Sequence, residues 1–163
     1  MSCKFPSGVA TTYNDGVLDR DEGLMAMEAG KRKGGEGIVG RAAGSAQGRG
    51  NAAEALAERF LVRHGLIVLG RNMRCRGGEV DLICLDRGTV TFVEVRLRSN
   101  PRFGGAAASI TATKRQRIIL AARWWLAGAG RRHAERPCRF DAILMDALDD
   151  AGIEWLKGAF DLD

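Results

Sequence analysis

The segment GGEVDLICLDRGTVTFVEVRLR, residues 77–98, decides the fold. Two runs rich in β-branched and apolar residues flank Asp86-Arg87-Gly88-Thr89, a hairpin signal. A two-residue turn at Arg87-Gly88 fixes the register: Asp86 faces Thr89, Ile83 faces Phe92, Asp81 faces Glu94 and Glu79 faces Arg96. Side chains alternate along a strand, so these residues are expected on one face, apolar near the turn and charged at the far end. Two carboxylates opposite each other destabilise a sheet. At about 4 Å and an effective dielectric of about 20 their repulsion is about 4 kcal/mol. The arrangement needs a cation, either a metal ion or Arg96 itself.

The flanking sequence builds a domain around this hairpin. Ala53, Leu56, Ala57, Phe60 and Leu61 recur at helical spacing, which predicts a helix from an Asn51 cap to Gly65. A strand follows over 66–69, and Arg71–Gly78 leads into hairpin strands at 79–85 and 90–97. A loop over 99–105 precedes a second helix, 111–127, whose buried stripe is Ile118, Ala121, Ala122 and Trp125. One of Trp124 and Trp125 is expected in the core and the other partly exposed. A strand over 139–145, with Asp141 near its start, and a short last strand over 153–156 complete the order α-β-β-β-α-β. The fold class is α/β with a mixed sheet.

Residues 1–48 read as a flexible glycine-rich arm and 49–163 as the folded domain. Gly35-Glu-Gly37-Ile-Val-Gly40 matches the dinucleotide fingerprint in letters, but no strand can precede it. Cys3, Cys75, Cys84 and Cys138 form no paired motif, and His64 and His133 have no partner at metal-ligand spacing. Reduced cysteines, the absence of an apolar membrane-spanning run and the lack of a signal-peptide core predict a cytoplasmic protein without a membrane partner.

Charge is unevenly spread. Residues 63–139 carry sixteen basic and five acidic side chains, whereas residues 140–163 carry one basic and seven acidic. A basic segment around the hairpin and second helix is the footprint of a phosphate-backbone binder, with nucleic acid, and DNA first, as the expected partner. Lys114, Arg115, Gln116 and Arg117 at the start of the second helix form a candidate phosphate cradle, alongside Arg71, Arg74, Arg76, Arg98 and Arg102. Solvated charges at a frayed helix end are the competing reading. Phe103 is a candidate for base stacking. Asp81 and Glu94 are the candidate metal ligands, because magnesium takes hard oxygens from one or two carboxylates plus water and phosphate. Glu54 is either the third residue of a capping box begun by Asn51 or a third carboxylate directed at the strand ends.

Several motifs together carry a resemblance. Ala53-Glu54, Arg71-Asn72-Met-Arg74-Cys75, Gly78-Glu79-Val-Asp81-Leu82-Ile83, Phe92-Val-Glu94-Val-Arg96, Phe103-Gly104, Lys114-Arg-Gln116 and Arg139-Phe140-Asp141 resemble, in order and spacing, the YraN-like family of bacterial proteins. That family is similar to Holliday-junction resolvases and to the wider PD-(D/E)XK nuclease superfamily. The resemblance covers about residues 50–160. It implies a restriction-endonuclease-like core flanked by helices, Mg2+ or Mn2+ at Asp81 and Glu94, and Glu54 as an accessory acid. It also implies metal-dependent phosphodiester hydrolysis on structured or branched DNA and, from the resolvases, a homodimer. The superfamily places a lysine two residues after the second acid, where this chain has Arg96. Arginine stays protonated and cannot serve as a general base, though it can stabilise charge on a phosphate, and Lys114 on the second helix is a candidate for part of the missing lysine's role. A catalytically silent nucleic-acid-binding module and a protein-interaction module are therefore the alternative readings.

Overall fold

The computed structural model of the chain describes residues 45–97 and 110–162. Helix α1 (Ala46–Arg63) precedes strands β1 (Ile67–Cys75), β2 (Gly78–Asp86) and β3 (Thr89–Leu97). Helix α2 (Ala112–Ala127) and a 3-10 turn (Arg131–His133) lead to β4 (Cys138–Met145) and β5 (Glu154–Phe160). The strands form one sheet in the order β1-β2-β3-β4-β5. Strands β3 and β4 run parallel, joined through α2, and the other neighbours are antiparallel. The chain thus has the expected α/β order and mixed sheet. The dinucleotide-like glycines, Arg98, Arg102 and Phe103 lie outside the described residues. Among the described residues no helix is long and apolar enough to cross a membrane.

The turn chemistry acts as the sequence predicts. Arg87 and Gly88 have φ values of 47° and 92°. This left-handed pair matches the right-handed strand twist, and it sets Asp86 opposite Thr89, Ile83 opposite Phe92 and Leu82 opposite Val93. Alternation then divides the core. Ile83, Phe92 and Phe140 pack with Ile118, Ala121 and Trp125 of α2. Leu82, Cys84, Val93 and Ile143 pack with Leu56, Ala57 and Leu61 of α1. The helices therefore cover opposite faces of the sheet. Trp125 is 6 % exposed and Trp124 is 56 % exposed, one in the core and one at the surface.

Three boundaries differ from the sequence reading. Helix α1 starts a turn and a half earlier than Asn51, because Ser45 caps it by accepting a hydrogen bond from the Gly48 N–H at 3.0 Å. Asn51 lies within the helix, where its side chain accepts from Gln47 at 2.9 Å. Glu54 consequently is not the third residue of a capping box. The other end is as expected: Gly65 has φ of 86°, and the N–H groups of Gly65 and Leu66 bond to the carbonyls of Val62 and Leu61. Strand β1 runs on to Cys75, with a bulge at Leu69 between the pairs Val68–Cys84 and Gly70–Ile83. Its polar Arg71, Asn72 and Arg74 are compatible with a strand because β1 lies at the sheet edge. Strand β5 likewise extends to Phe160, whose ring stacks on Phe140 at 4.9 Å between centroids.

Helix α2 approaches β2 most closely at Gly78. A Cβ placed there would stand 2.6 Å from the Arg117 carbonyl oxygen and 2.9 Å from the Ala121 nitrogen, both backbone atoms. Replacing Gly78 with alanine must push helix and strand apart. Gly78→Ala should cost about 1–3 kcal/mol, read as a lower denaturant midpoint with an unchanged slope.

Candidate functional site: a forked sheet with paired carboxylates

The β2–β3 ladder runs from Asp86–Thr89 to Leu82–Val93 and stops. Beyond that point β2 continues alongside β1, through Met73–Val80 and Arg74–Glu79. Strand β3 continues alongside β4, through Glu94–Ala142 and Arg96–Leu144. The sheet forks at Asp81 and Glu94. In place of the next ladder bond, Asp81 Oδ2 accepts the Val95 N–H at 2.8 Å. The expected Asp81–Glu94 and Glu79–Arg96 ladder pairs are thus absent. The two carboxyl groups still meet, because each lies at the root of one prong.

Of the two cations foreseen from the hairpin, the protein's own Arg96 is not the one at this fork. Among the described residues Arg96 makes no ion pair, so it does not neutralise Asp81 and Glu94. Lys114, from the first turn of α2, does so instead. Its Nζ lies 2.9 Å from Glu79 Oε1 and 3.2 Å from Glu94 Oε1. Burial alone lowers the lysine pKa, but the hydrogen bond to Glu79 and the charges of Glu94, Asp81 and Glu79 outweigh it and hold the ammonium above its ordinary value. These carboxylates therefore favour the ammonium form of Lys114. The chain has a lysine against its paired carboxylates after all, supplied from a helix instead of from β3.

The carboxyl groups respond to the site in different ways. Burial first, and the neighbouring Asp81 carboxylate second, push Glu94 up to about 7, with Lys114 opposing both. Glu94 Oε2 is buried, and the protonated Glu94 carboxyl shares a hydrogen bond with Asp81 that also favours its neutral form. Burial also raises Asp81, against the Val95 N–H and Lys114. Glu79 is lowered by its hydrogen bond from Lys114. Glu54 is raised, mainly by burial, with Asn72 opposing and Asp81 adding to the rise. Glu54, Glu79 and Asp81 line a cleft of about 340 Å³ together with Asn72, Arg74 and Gln47. A shallower depression of about 560 Å³ continues from Glu54 and Asn72 to Arg71 and Glu58, which are ion-paired.

The donor set at the fork suits a hard divalent cation. Asp81 and Glu94 offer carboxylate oxygens, and when both are ionised their mutual repulsion is what a bound cation relieves. Among the described residues no third histidine, cysteine or acid completes a metal-holding group. The remaining positions would fall to water and phosphate oxygen, as is usual for magnesium.

The other candidates distribute unevenly. Arg74 stands at the cleft wall. Arg115 turns away: its Nε donates to the Ile110 carbonyl at 3.0 Å and its guanidinium lies 5.8 Å from the Phe160 ring centre. Gln116 is exposed. The start of α2 is not frayed, since Thr111 caps it through the Lys114 N–H. Two features escaped sequence reasoning. Asn72 sits in the left-handed region, φ 48°, a conformation asparagine tolerates better than most residues, and lines the cleft beside Glu54. Asp141 is fully buried and accepts from Arg139 Nε at 2.7 Å, Trp155 Nε1 at 2.9 Å and the Gly158 N–H at 2.9 Å. Arg139 also reaches Asp86 at 2.9 Å, so this network ties β5 and the hairpin to β4. The alternating Arg139 and Asp141, on one face of a strand, were the available signal.

The Glu94 pKa sets a pH dependence. The native state binds this proton more tightly than the unfolded chain, whose value is near 4.5. The resulting stabilisation is complete below about 4.5 and is lost as the pH rises through about 7. Glu94→Gln, a neutral isostere, should be more stable than wild type at pH 8 by on the order of 2 kcal/mol and show no such advantage at pH 4.5 in thermal or urea unfolding.

Comparison with known proteins places this arrangement in a family. The model of the uncharacterised protein family UPF0102 matches residues 53–145, which include both prongs of the fork and Lys114. A UPF0102 protein of Methylobacillus flagellatus is 56 % identical over 111 residues, 68 % of this chain and 95 % of its own. One from Nitrosomonas europaea is 51 % identical over 117 residues, 72 % of this chain and 97 % of its own. One from Burkholderia pseudomallei is 50 % identical over 124 residues, covering 76 % and 82 % respectively. The chain belongs to the UPF0102 family, the YraN-like family that its motifs resemble.

Proposed function

We propose that the protein is a nuclease-like enzyme that hydrolyses phosphodiester bonds in structured or branched DNA with the help of Mg2+ or Mn2+. The observation that carries this reading is the Asp81–Glu94 pair at the sheet fork, with Glu94 buried and Asp81 half-buried, Lys114 against it and a cleft beside it. Asp81 and Glu94 would hold the metal. A metal at such a site polarises the phosphate and lowers the pKa of an attacking water. Lys114, held as an ammonium at the fork, would stabilise the negative charge that develops on the phosphate. Glu54, a carboxyl raised above its ordinary value at the cleft wall, would take the proton of the attacking water. As water adds to phosphorus, the bond to the leaving oxygen breaks and that oxygen takes up a proton from solvent. Arg74 on the same wall orients the backbone. The cytoplasm, where such DNA is found in bacteria, is the compartment this reading implies.

A second reading has its own observation. Lys114 already neutralises Glu94 and Glu79, as it would in a nucleic-acid-binding module that has given up metal and catalysis. Cleavage assays separate the two. With Mg2+ or Mn2+, the wild type should cut at least one of single-stranded, duplex, flap or junction DNA. Asp81→Asn and Lys114→Met should each lower the rate by about 100-fold or more. Arg96→Lys should change it by less than about threefold, because Arg96 does not sit on the carboxylates. Binding without cleavage on every substrate would identify the silent module.

A further inference from the structure

Helix α2 carries Lys114, Arg115, Arg117 and Arg123 and no acidic residue. Its exposed surface is not uniformly polar. Leu120 is 44 % exposed and Trp124 is 56 % exposed, one helical turn apart. Arg117 precedes Leu120 on the same side of the helix and reaches Glu79 at 3.4 Å, so this stripe starts at the fork. Leu120 abuts the β1–β2 turn: its Cδ2 would lie 3.5 Å from a Cβ on Gly77, next to the exposed Arg76. Trp124 lies about 15 Å along the helix axis from Lys114, a distance of a few nucleotides.

We propose that Trp124 is a stacking contact for an unpaired base of the DNA strand that enters the fork, with Arg76 and Arg117 holding its phosphates. The proposal rests on the nucleic-acid reading of the fork and extends it to a preference for single-stranded segments. A large exposed indole is costly to leave in water and is a good platform for any base, since every base has a π face. Its surroundings decide the occupant. A second copy of the chain docking through this stripe would oppose arginines to arginines with no acid on α2 between them. A polyanion with flat aromatic faces matches both the charge and the ring.

The test is binding of a twelve-residue oligothymidylate to the full chain in EDTA, where absence of cleavage does not affect the readout. The oligonucleotide should quench the tryptophan emission and bind more tightly than a blunt duplex of the same length. Trp124→Leu, which keeps an apolar side chain but removes the ring, should bind at least about fivefold more weakly, and Trp124→Phe should recover most of the loss. All three proteins should share one thermal midpoint, because the residue is exposed. Wild-type affinity in Trp124→Leu would overturn the proposal, as would no binding by the wild type, or a wild-type dimer that Trp124→Leu dissociates while oligonucleotide affinity is unchanged. Failure of cleavage in Mg2+ alongside a normal Trp124 dependence would instead remove only the enzymatic reading of Asp81 and Glu94.

Discussion

Two carboxyl groups brought together where a sheet forks set the terms for the rest of this molecule. Asp81 and Glu94 cannot both be charged there without a counterion, since their repulsion in a buried setting amounts to several kcal/mol, about 4 at a dielectric of 20. Three responses are visible. The Asp81 carboxylate takes over a ladder bond by accepting the Val95 N–H. Glu94 is held toward its protonated form. Lys114 comes in from α2 and pairs with Glu94 and Glu79. Each response depends on a different element, so the fork ties β2, β3 and α2 into one electrostatic unit.

The position of Lys114 is a consequence of packing. Helix α2 lies on β2 as closely as two backbones allow, because Gly78 has no side chain to separate them. Ile118, Ala121 and Trp125 fix the rotation of the helix against Ile83 and Phe92. The capped first turn, with Thr111 holding the Lys114 N–H, then directs the lysine toward the fork. The same rotation leaves Arg117, Leu120 and Trp124 at the surface beside it. Fold and candidate site therefore share their determinants: the residues that bury α2 also aim its cation.

Much of this was legible in the sequence. The hairpin register followed from a two-residue turn, which admits one pairing, and the alternation of Ile83 and Phe92 against Leu82 and Val93 placed both core faces. What stayed hidden arose from interactions between distant segments. The ladder stops at Leu82–Val93 because a side chain replaces a backbone acceptor, an event with no periodic signature. Strand β1 carries Arg71, Asn72 and Arg74 because it is an edge, and edge position is a property of the assembled sheet. The start of α1 depended on Ser45 competing with Asn51 as a cap across a glycine-bearing turn. Arg96 occupied the sequence position of the expected lysine, and Lys114, 18 residues beyond it, was legible only as a candidate for that role; its contact with Glu79 and Glu94 needed the packed helix. Chain position and spatial role separate at such sites because a charge can be delivered from any element that reaches it.

The proposed cation site at Asp81 and Glu94 is one that Lys114 partly fills and that a divalent ion would enter. Calorimetric titration of the full chain with Mg2+, and with Mn2+ in parallel, tests it most directly. The account predicts saturable binding in the wild type, none in Asp81→Asn, and tighter binding in Lys114→Met, where the competing ammonium is gone. Binding that survives Asp81→Asn unchanged, or no binding even in Lys114→Met, would contradict it.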